Sequence, residues 1–80
     1  LKLEEELESC HCSMSTDDFR ALLRSTFKEF YGDMPDERLL YRPTEALGFC
    51  GIIRQRCLCL GLPEELILRT LANLRKRSEL

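Results

Sequence analysis

The run Thr16-Asp-Asp-Phe-Arg-Ala-Leu-Leu-Arg-Ser-Thr-Phe-Lys-Glu-Phe-Tyr31 decides the fold class of this 80-residue chain. Phe19, Leu22, Leu23, Phe27 and Phe30 recur at steps of three and four, which places five large apolar side chains on one stripe of a helix. Arg20, Arg24 and Lys28 fall on the opposite side and read as solvated surface. Ser15 or Thr16 can cap the first turn, and Asp17 and Asp18 suit its positive end. Gly32 supplies the left-handed residue that stops the helix.

On the N-terminal side, Leu3 and Leu7 lie four apart in an acidic stretch, so residues 2–9 form a helix of about two turns that is marginal alone. Cys10-His11-Cys12-Ser13 has no periodicity and reads as a loop. Met14 is a plausible natural start, which makes residues 1–13 an N-terminal extension carrying that helix and 14–80 a single helical domain. The stretch Leu1 to Ser9 is acidic where a secretory signal has a basic start, so a cytoplasmic location is expected.

On the C-terminal side, Pro35 fits the first turn of a short helix over 35–42, which Pro43 ends. Thr44 then caps a helix over 44–60. Its apolar residues, from Ala46 and Leu47 to Leu58 and Leu60, cover most of the circumference, so it is expected to be the most buried. Gly61 ends that helix and Pro63 opens a last one over 63–77, in which Leu60, Ile67, Leu71 and Leu74 point one way. The fold class is therefore all-α: a compact bundle of four helices (about 16–31, 35–42, 44–60, 63–77) with a possible extra N-terminal helix. No strand, repeat or low-complexity tract is visible.

Composition sets the function classes. The chain is 44% hydrophobic and 32% charged with a net charge of −2, an ordinary globular balance without a membrane span. The acids gather at the start, where Glu4, Glu5, Glu6, Glu8, Asp17 and Asp18 face Lys2 alone. The bases that follow include Arg69, Arg75, Lys76 and Arg77 near the C-terminus. Five cysteines, an odd number, are Cys10, Cys12, Cys50, Cys57 and Cys59. Three of them sit in apolar helical sequence, where a thiol behaves as a small hydrophobe.

A metal centre is not expected. Structural zinc commonly pairs ligands across two to four residues, a spacing that neither Cys10/Cys12 nor Cys57/Cys59 has. Cys57 and Cys59, two apart on a helix, diverge by about 200° and cannot easily share an ion unless the helix ends early. The single histidine, His11, forms no arrangement with a thiol and an acid that could be placed in one pocket. No phosphate loop is present either, so neither an enzyme nor a cofactor is expected.

Two binding readings stand beside each other. Gly48 and Gly51 lie three apart on a helical face continued by Gln55. Each glycine costs about 1 kcal/mol relative to alanine in a helix interior, and close helix packing or a partner backbone in that notch would compensate. Exposed leucines such as Leu58, Leu66 or Leu68 would add to a docking surface for an unknown protein partner or for self-association.

The second reading starts from Gly61, Ile67, Leu71 and Leu74, a glycine followed by apolar residues at six, ten and thirteen. Over residues 44–77 this pattern resembles the turn and second helix of helix-turn-helix and winged-helix proteins. The resemblance implies nucleic-acid binding by the last helix, with Arg69, Asn73 and Lys76 on its exposed face. The chain departs from that pattern at Glu64 and Glu65, two carboxylates where such proteins usually reach bases and phosphates. No wing is expected before Leu80. The preferred reading is a small non-enzymatic protein-interaction or structural module.

Overall fold

A computed structural model describes residues 2–32 and 42–76, which form four α-helices: α1 (Leu3–Ser9), α2 (Thr16–Tyr31), α3 (Pro43–Cys57) and α4 (Glu64–Lys76). There is no strand among the described residues. None of their helices is long and apolar enough to cross a membrane. The helix expected over 35–42 lies, apart from Arg42, outside the described residues.

The amphipathic run forms α2 with the expected ends. The Ser15 hydroxyl accepts the Asp18 backbone N–H at 3.1 Å, and Gly32 closes the helix at φ 57° while its N–H donates to the Lys28 carbonyl at 3.1 Å. Phe19, Leu23 and Phe27 are buried, and Leu22 packs beside them. Phe30 is half exposed instead of joining the stripe. The Arg56 guanidinium sits 5.4 Å from its ring centroid, a cation–π contact that accepts an exposed ring.

Pro43 begins α3, with Arg42 in a non-helical conformation before it. Thr44 is therefore not the cap, because proline at the first helical position is already set in φ and lacks the N–H a cap would satisfy. Nor is α3 buried all round. Ala46, Phe49, Cys50 and Ile53 face inward, whereas Leu47 is half exposed and Gly48, Gln55 and Arg56 are exposed. Helices α2, α3 and α4 pack each against the other two, and α1 lies against α2. Between the bundle helices, Phe27 meets Phe49 edge-on at 6.4 Å.

The largest departure is the end of α3. It stops at Cys57, three residues short of expectation, and the stop is Leu58 in the left-handed region at φ 58°, not Gly61. The Leu58 N–H donates to the Gln55 carbonyl (3.3 Å) and the Cys59 N–H to the Arg54 carbonyl (3.1 Å), the paired bonds of a Schellman corner. Arg54 Nε then donates to the Leu62 carbonyl at 2.7 Å and ties the corner to the approach of α4. In consequence Leu62, 1% exposed, enters the core, and Leu60, expected to point inward, is 76% exposed.

The N-terminal helix joins the same core. Leu7 and Cys12 are both buried in it. Arg69 Nη2 on α4 reaches both carboxylate oxygens of Glu6 at 2.5 Å, so α1 is held by a charge-assisted contact at Glu6 and by the packing of Leu7 next to it.

Candidate functional sites

Arg69, Asn73 and Lys76, the residues expected to touch nucleic acid, are all exposed on α4. Arg69 is engaged chiefly by Glu6, with Glu65 at 3.9 Å. Together with Glu6, Arg20 and Asn73 it lines a cleft of about 170 Å³ under α1. Lys76 is exposed at the end of α4 and does not line that cleft. Glu64 and Glu65 are exposed at the start of the same helix.

Among the described residues the glycine notch on α3 is open: a Cβ placed on Gly48 or Gly51 would meet nothing within 4 Å, so none of the described helices approaches closely enough to explain them. On a helix of 3.6 residues per turn, Thr44, Leu47, Gly48, Gly51 and Gln55 share about one third of the circumference. Leu47 is half exposed at one end of that stripe, and Leu58, 87% exposed, follows at the other. Leu66 and Leu68, read as candidate surface leucines, belong instead with the core: Leu66 is buried and Leu68 packs partly against it.

A third site was not visible in the chain's spacing. The Sγ atoms of Cys12, Cys57 and Cys59 lie within 4.8 Å of one another. Cys57 and Cys59 would diverge on a helix continuing through both; because α3 ends at Cys57, the left-handed Leu58 turns Cys59 back toward its neighbour. Cys12 arrives from the other end of the chain by the same device. His11 is left-handed at φ 58°; its N–H donates to the Glu8 carbonyl and that of Cys12 to the Leu7 carbonyl, both at 2.9 Å.

The thiols lie in a low-polarity environment. Burial, with bonds from the Cys12 and Cys57 side chains, pushes the Cys59 thiol up to about 12. Burial also raises Cys57, against the lowering effect of bonds from the Cys59 backbone N–H and side chain. All five cysteines are free thiols. Cys50 is buried in the core on α3 and stands apart from this group.

Compared with known proteins, the chain matches no family model, no curated protein and no solved structure.

Proposed function

We propose that this chain is a small non-enzymatic protein-interaction module that pairs with a second copy of itself through the exposed face of α3. The observation that carries the reading is the open glycine notch. Two glycines in the interior of a 15-residue helix oppose its formation, yet none of the described neighbours needs the space they leave. A helix backbone from outside fits such a strip closely, because only glycine leaves the backbone bare.

The margins of the strip suit another copy. Leu47 and Leu58 provide apolar surface at its two ends. An antiparallel, two-fold pairing sets Leu47 of each copy toward Leu58 of the other, the self-complementarity that an isologous dimer requires.

Sedimentation velocity over a concentration series tests this reading. A reversible monomer–dimer equilibrium is expected, and the double substitution Leu47→Glu, Leu58→Glu should leave a folded monomer at every concentration. A native chain that stays monomeric up to its solubility limit, or a double variant that dimerises as well as the native chain, sinks it. Nucleic-acid binding gains no comparable support, since Arg69 is already held by Glu6.

A further inference from the structure

Two corners of the fold are built alike. In each, a helix ends in a left-handed residue that is not glycine, flanked on both sides by cysteine: Cys10-His11-Cys12 after α1 and Cys57-Leu58-Cys59 after α3. The backbone bonds correspond one for one. His11 and Leu58 donate to the carbonyl three residues back, and Cys12 and Cys59 to the carbonyl five back. His11 and Leu58 are also the only non-glycine residues with positive φ among the described residues. Left-handed backbone is costly for residues other than glycine, so both strained positions serve the same placement of thiols.

From this we infer that the two Cys-x-Cys corners form a structural zinc site, with Cys12, Cys57 and Cys59 as preplaced ligands and Cys10 completing the tetrahedron. Four thiolates about 2.3 Å from zinc stand about 3.8 Å from each other. The three Sγ atoms, all within 4.8 Å, reach that arrangement by small side-chain rotations. Cys10 holds in the sequence of the first corner the place that Cys57 holds in the second; its Sγ stands outside the trio, partly buried against the same core, and turns inward to supply the fourth sulfur when the ion binds.

The surroundings favour a cation. The thiols gather at the C-terminal ends of α1 and α3, where helix dipoles present partial negative charge. The site is also sheltered, with Cys12 and Cys59 only 7% and 6% exposed. A soft thiolate set selects zinc over hard cations such as magnesium or calcium. On binding, each thiol releases its proton to solvent and its sulfur lone pair forms the bond to the metal, with no change of oxidation state. The single-residue spacing within each pair, shorter than that of common zinc motifs, is workable because the left-handed residue folds the pair back on itself.

The test is a titration of the full chain, reduced and freed of metal, with cobalt(II) followed by zinc(II). One equivalent of cobalt should bind with the intense visible absorption and sulfur-to-metal charge-transfer bands of tetrahedral thiolate coordination, and zinc should displace it. Zinc should also raise the thermal midpoint, an increase that a chelator reverses. Cys10→Ala and Cys57→Ala, chosen because these residues are less buried than Cys12 and Cys59, should each weaken binding at least about tenfold while circular dichroism shows the helices retained. Cys50→Ala should bind like the native chain. If the reduced native chain gives no thiolate spectrum, or if Cys57→Ala binds as tightly as native, the site does not exist. Recovery of the cobalt spectrum in full by Cys10→Ala overturns the four-thiolate assignment. None of these readouts depends on dimerisation through α3.

Discussion

Leu58 is costly to place twice over: its backbone is left-handed, and its side chain is 87% exposed. Left-handed geometry costs a non-glycine residue about 1–2 kcal/mol, so Leu58→Gly should stabilise the monomer by about 1 kcal/mol in urea denaturation while weakening self-association, because the leucine leaves the docking strip. Gly48→Ala and Gly51→Ala act in the same direction. Each meets open space and should add about 0.5–1 kcal/mol to the monomer, read as a higher urea midpoint at unchanged slope, whereas sedimentation should show weaker pairing. Cys50 makes the opposite point about a buried residue. Burial raises its thiol above the ordinary 9.0, with Arg54 opposing and Glu64 adding. A raised folded value means that the neutral thiol supports the fold. That contribution is complete below the unfolded value and is lost as pH rises through the folded one. Stability should therefore fall as pH rises above about 9, and Cys50→Ala should flatten part of that decline in denaturation measured across the alkaline range.

Elements differed in how far local sequence could define them. The bounds of helix α2 were legible, because its stripe, its Ser15 cap and its Gly32 stop are local signals; only Phe30 left the stripe, for the Arg56 guanidinium. The end of α3 was not. Apolar sequence runs on through Leu58-Cys59-Leu60, and Gly61 is the residue that ordinarily stops a helix. The stop falls earlier because burial of Cys59 and Leu62 and the Arg54 bond to the Leu62 carbonyl outweigh the strain at Leu58. The thiol group follows from that early stop and from a contact between distant parts of the chain, so no spacing rule could disclose it. The repeated Cys-x-Cys was the one available signal. Helix α1 shows the same dependence, since two turns gain their stability from what they pack on. Its link to α4 is the contact of Glu6 with Arg69, the latter partly exposed. Arg69→Ala should cost less than about 1 kcal/mol overall yet speed amide exchange at Leu7 to Cys10, leaving α2 and α3 protected. High salt should narrow that difference, as hydrogen–deuterium exchange at two ionic strengths would show.

At the scale of the whole molecule, the question is how much of the core an 80-residue chain can lose. Domains of this size have about 4–12 kcal/mol of stability in all. Residues 1–13 read in sequence as an acidic extension of the helical domain. In the fold they supply Leu7 and Cys12, both buried in the common core, and the carboxylate that holds Arg69. A fully buried leucine alone contributes about 1.5–3 kcal/mol. Removing the segment also uncovers the core that it shields, and takes two of the four thiols from the zinc site. The chain from Met14 onward should consequently lose a third or more of its stability, with a broader urea transition and binding of a hydrophobic dye under native conditions. Zinc, which should raise the midpoint of the full chain, should do nothing for the shortened one, because Cys57 and Cys59 on their own are half a ligand set. A shortened chain as stable as the full one would mean that α1 rests on the bundle without contributing to it. The buried position of Leu7 argues against that outcome, since its place in the core would otherwise stand open to water.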